Sequence, residues 1–91
     1  MRIVWTRSAI DQLIEIHDFI SLDKPDAAQG VAQRINEAVR LLCGQPHLGR
    51  PGKEPGTREW VVPGTPFTIT YRIEKGRFLV LAVLHGARRR P

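Results

Sequence analysis

The sequence predicts an α+β fold: a short N-terminal strand, then an antiparallel helix hairpin packed on a three- to four-stranded antiparallel sheet. Three observations carry this. Apolar residues recur at helical spacing through the first half of the chain, a segment dense in glycine and proline follows, and beyond it the apolar residues alternate or run together as in strands.

The opening RIVW reads as the short strand. Thr6 stands where a helix N-cap belongs, with Ser8 as a competing start. Ile10, Leu13, Ile14, His17 and Ile20 then form the predicted apolar stripe, with Asp11, Gln12, Glu15 and Asp18 facing out, and the helix is expected to end near Ser21. Pro25 suits the first turn of a second helix, Asp26 complements its N-terminal dipole, and Gly44 suits its end. Between them Ala28, Val31, Ala32, Ile35, Ala38, Val39 and Leu42 make the second stripe.

GQPHLGRPGKEPG cannot be helix or central strand, because glycine and proline suit neither, and is predicted as an exposed loop with Arg50 bracing it. TREWVV, FTITYRI and FLVLAVL follow as strands joined by the tight connections PGTP and EKGR. In the simplest register Trp60, Val62, Phe67, Ile69, Tyr71, Ile73, Phe78, Val80, Ala82 and Leu84 face the helices. Glu59, Val61, Thr68, Thr70, Arg72, Leu79, Leu81, Val83 and His85 then take the other face. Leu79, Leu81 and Val83 are left with nothing to cover them, and an uncovered apolar patch marks a partner site.

The 91 residues are expected to form one domain, 1–91. Eleven arginines and three lysines against nine acids give a net charge of +5, which favours an anionic partner: nucleic acid, an acidic protein segment or a membrane surface. One cysteine, Cys43, excludes an internal disulfide and a multi-cysteine zinc site, and no cofactor or metal is expected. There is neither a signal-peptide pattern nor an apolar run long enough for a membrane span, so the expected location is the cytoplasm.

TRSAIDQLIEI, the P-x-x-G-R element Pro46 to Arg50, Arg58 with Glu59, Tyr71 with Arg72, and LHGAR occur here in an order and at a length that resemble the RelE/ParE toxin superfamily, also called plasmid-stabilisation proteins. The resemblance spans essentially the whole chain and most favours the ParE-like branch. It implies the toxin of a bacterial type II toxin–antitoxin pair, neutralised by an antitoxin whose C-terminal segment wraps it. ParE-like members poison DNA gyrase; RelE-like members cut messenger RNA on the ribosome.

Metal-free RNA cleavage needs a base, an acid and fixed positive charge around the phosphate. Glu54 or Glu59, His85, and the arginines Arg58, Arg72 and Arg88 are the candidates. However, Thr68 and Gly86 stand where the ribonuclease relatives that this chain resembles carry an arginine and a tyrosine. Gyrase inhibition is therefore the favoured expectation and ribonuclease the alternative. Antitoxin or target binding is expected from Arg58, Arg72, Leu79, Leu81, Val83, His85, Arg88, Arg89 and Arg90. A third reading, a non-toxic nucleic-acid-binding module, would need exposed aromatics or a recognition helix that the pattern does not supply.

Overall fold

The computed structural model describes residues 1–86. In chain order they form β1 (Arg2–Trp5), α1 (Arg7–Ser21), α2 (Pro25–Gly44), β2 (Arg50–Pro51), β3 (Arg58–Val61), β4 (Phe67–Glu74) and β5 (Arg77–His85). One sheet collects the strands in the order β1-β5-β4-β3-β2. It has five strands rather than three or four, because the loop adds the two-residue β2 and the N-terminal strand joins the far edge. The pairings are antiparallel except that of β1, which runs parallel to β5.

Thr6 is the N-cap of α1: its hydroxyl accepts the Ala9 N–H at 3.2 Å and shares its own hydrogen between the Val80 and Leu81 carbonyls. That cap fixes where β1 ends and how α1 is rotated. Ala9 is fully buried, and Leu13, Ile16 and Ile20 pack on the core. Ile10 and Ile14, expected inside, stay exposed because Gln12 is turned toward β5 instead of solvent. From α2, Ala28, Ile35, Ala38, Val39 and Leu42 are buried as the spacing predicts. At the β4–β5 connection Lys75 and Gly76 have φ of 52° and 74°, the paired positive values of a type I′ hairpin turn.

The register of β5 departs from the expected one at a single place. Thr70 opposes Ala82 while Tyr71 opposes Val80, so Leu81 is the extra residue of a β-bulge. One inserted residue exchanges the faces of everything beyond it. Val83 and His85 therefore lie with Ile69 and Phe67 on the helix face, and Ala82 and Leu84 with Thr70 and Thr68 on the outer face. Val83 is 1% exposed and belongs to the core; Leu79, on the outer face, is 8% exposed. The uncovered stripe of Leu79, Leu81 and Val83 does not exist.

Candidate functional site

The glycine- and proline-rich loop is tied to the sheet by two side chains of one face. Tyr71, fully buried and stacked on Phe78 with ring centroids 4.8 Å apart, donates its hydroxyl hydrogen to the Pro46 carbonyl at 2.6 Å and accepts the Gly49 N–H at 3.0 Å. Arg58 stands opposite Tyr71 on β3 and donates to the Gly49 carbonyl at 2.7 Å. Burial pushes the Tyr71 phenol pKa up, while the Gly49 N–H and the Arg58 charge pull it down. The expected brace, Arg50, instead reaches Glu59 at 3.5 Å on the outer face.

Arg72 points to that outer face, opposite Leu79. Its Nε lies 3.2 Å from Glu74 Oε1 without the alignment of a hydrogen bond, and Arg77 approaches the same carboxylate at 3.8 Å. Glu54 is an exposed loop residue whose carbonyl closes a turn by accepting the Thr57 N–H and hydroxyl at 3.1 and 2.6 Å.

His85 is at the far end of the sheet, edge-on to Phe67 with centroids 5.6 Å apart. Phe67 and Arg72 are five residues apart on one strand, about 17 Å at the usual rise. The candidate ribonuclease groups thus split three ways: Arg58 inward under the loop, Arg72 outward, His85 inward at the opposite end. Among the described residues they do not converge on one phosphate. Arg88, Arg89 and Arg90 lie outside the described residues.

What the structure does bring together is a groove of about 660 Å³ between the hairpin tip and the end of β5, lined by Ile16, Phe19, Val31, Phe67, Val83 and others. Phe19 is 73% exposed beside it. Glu15 and Asp18 give the α1 side an acidic rim. Gln12 reaches in from α1 to accept the Val83 N–H at 2.8 Å. Helical spacing predicts Gln12 on the outer face of α1 and does not mark Phe19. Only the bulge at Leu81, which the alternation of FLVLAVL hides, brings Val83 under α1.

The family model described as "ParE toxin of type II toxin-antitoxin system, parDE" matches residues 3–90. The chain belongs to the ParE toxin family. This ParE toxin is 42% identical over 90 residues to Y4kP of Sinorhizobium fredii, covering 99% of this chain and 93% of that protein. It is 33% identical over 87 residues to "Toxin RelE2" of Caulobacter vibrioides, covering 96% and 97%. A solved structure, "Chromosomal ParDE TA system from P. aeruginosa", superposes with a TM-score of 0.85 at 28% identity, over 93% of this chain and 95% of the other. It is thus the toxin of a ParDE-type toxin–antitoxin pair, with a cognate antitoxin as its partner. Among the described residues no helix is long and apolar enough to cross a membrane.

Proposed function

We infer that this ParE toxin acts by binding and inhibiting DNA gyrase, and that the antitoxin silences it by direct contact. The observation that carries the reading is the separation of Arg58 from Arg72. Arg58 is spent on the Gly49 carbonyl inside the fold, and Arg72 leans on Glu74 outside it. A phosphate clamp needs its cations preorganised around one point, since their value lies in meeting developing charge without reorganisation. Thr68 and Gly86, where ribonuclease relatives carry functional side chains, support the same reading.

The test uses purified chain with gyrase and plasmid, and in parallel with translating ribosomes. Loss of supercoiling or trapped cleaved DNA, with messenger RNA left intact, is the expected result. Codon-positioned cuts that disappear in His85→Ala would replace this reading with the ribonuclease one.

A further inference from the structure

The helices and the sheet of this chain carry opposite charge. Between Arg7 and Gly44, the stretch that forms α1 and α2, six acids stand against four bases, whereas the rest of the described chain sets seven bases against three acids. A polyanion is drawn to the sheet side.

The positive charge is densest at one corner of the outer face, where β4 turns into β5. Arg2 of β1 lies beside Arg77 of β5, Arg77 lies opposite Glu74 of β4, and Arg72 precedes Glu74 by two residues on the same face. Lys75 stands in the turn between the two strands. Glu74 is the one carboxylate in this group. Its oxygens lie 3.2 Å from Arg72 Nε and 3.8 Å from the Arg77 guanidinium, contacts that leave most donors of both forks unused. Arg2 and Lys75 are exposed and form no ion pair among the described residues.

Two features of this corner work against the fold. Like charges side by side on neighbouring strands repel, as those of Arg2 and Arg77 do. Lys75 holds φ at 52°, a left-handed conformation for which asparagine or glycine is the easier choice at the first position of this turn. A residue kept at the expense of local stability points to a use outside the fold. What Arg2 and Lys75 share is positive charge.

We propose that this corner lies on the sugar–phosphate backbone of the duplex that gyrase holds, so that the toxin grips the enzyme–DNA complex through its DNA as well as its protein. This rests on the gyrase reading and adds the DNA as a contacted partner. It is binding and not catalysis: charge spread along a backbone is enough, whereas cleavage needs it gathered about one phosphate. An acidic protein segment fits less well. Protein contacts are anchored by apolar or aromatic side chains that become buried, and the apolar neighbours on this part of the face, Val4 and Leu79, are already half-buried and buried. Phosphate contacts need only arginine, lysine or another donor, and they fix a protein on DNA without reading its sequence.

The experiment measures binding of the purified full chain to a fluorescent DNA duplex of arbitrary sequence over a range of salt, with a thermal melt and a gyrase supercoiling assay on each variant. Arg2→Thr removes the repulsion with the charge, and Lys75→Asn removes the strain with the charge, so both should melt at or above the wild-type temperature. Each should flatten the salt dependence by about one phosphate contact, which at about 0.1 M salt lowers the affinity for DNA by about eightfold. Gyrase inhibition should weaken with it. Arg40→Gln takes the same charge from an exposed site on α2 and should change neither.

A merely structural role cannot lower DNA affinity while stability holds or rises. Unchanged DNA affinity in Arg2→Thr and Lys75→Asn, an equal loss in Arg40→Gln, or a loss matched by a lower melting temperature would each overturn the DNA contact without touching the gyrase reading. Weaker binding of these variants to gyrase in the absence of DNA, with their DNA affinity intact, would overturn it in favour of an acidic protein surface. DNA binding through this corner by a chain that leaves gyrase fully active would remove the gyrase reading, and the shared complex with it.

Discussion

Tyr71 and Arg58 face one another across β3 and β4, and both hold Gly49: the tyrosine hydroxyl accepts its N–H at 3.0 Å and the arginine donates to its carbonyl at 2.7 Å. A loop with this much glycine and proline has little intrinsic structure, so these contacts, together with the pairing of β2 on β3, set its path. Tyr71→Phe leaves the buried Gly49 N–H and the Pro46 carbonyl without the hydroxyl, at a cost of about 1 to 3 kcal/mol. Denaturant titration should show that loss with an unchanged slope. Gly49→Ala should cost more, because its Cβ would collide with the Tyr71 ring and hydroxyl. Wild-type stability in both variants would mean the loop is held elsewhere.

Alkaline stability follows from the same tyrosine. Its folded pKa is raised above 10.0, chiefly by burial, so the fold favours the neutral phenol. The unfolded chain loses the proton first as pH rises. The stabilisation is therefore complete below 10.0 and is lost as pH climbs through the raised folded value. Tyr71 is the chain's only tyrosine, so phenolate absorbance reports it alone. The midpoint of that absorbance should lie above the value of the denatured chain. Tyr71→Phe should start less stable but lose less stability on going alkaline, whereas an equal loss in both proteins would refute the linkage.

The sequence made the architecture legible where one periodicity served one purpose. The α2 stripe from Ala28 to Leu42, the Thr6 cap and the Lys75–Gly76 turn all follow from local patterns that the fold obeys. The candidate site was less legible because it depends on a one-residue irregularity. FLVLAVL is apolar on both parities, so nothing in it marks Leu81 as the bulge, yet that residue decides whether Val83 faces the helices or solvent. The role of Arg58 was equally hidden. Which arginine braces the loop depends on where Gly49 sits relative to Tyr71, a contact 22 residues apart in sequence.

The bulge predicts opposite fates for two neighbouring leucine and valine positions. Val83→Asp buries a carboxylate in the core and should unfold the domain, because an unpaired charge there has no compensating partner. Leu81→Asp sits at the half-buried bulge and should keep the native circular dichroism spectrum. Ile69→Ala, fully buried opposite Val83, should cost about 2 to 5 kcal/mol, and the only partly buried Leu13→Ala less. Thermal melts of the four variants check the order. If Leu81→Asp unfolded while Val83→Asp did not, the register of β5 would be wrong.

Arg58 and Arg72 should likewise separate, one as a fold residue and one as a surface residue. Arg58→Ala takes a charged donor from the Gly49 carbonyl and should lower stability by about 1.5 to 3 kcal/mol, with activity falling only as far as the folded fraction falls. Arg72→Ala breaks a half-exposed ion pair with Glu74, which is worth at most about 1 kcal/mol, so melting should hardly change. If Arg72 contributes to target or antitoxin recognition, its loss shows in binding alone, and the difference from wild type shrinks as salt is added because an exposed charge contact is screened. The measurement pairs a melt with gyrase inhibition and antitoxin affinity at low and high salt for each variant. A large melting loss in Arg72→Ala, or full stability with lost activity in Arg58→Ala, would reverse the two roles and bring Arg58 back as a candidate contact residue.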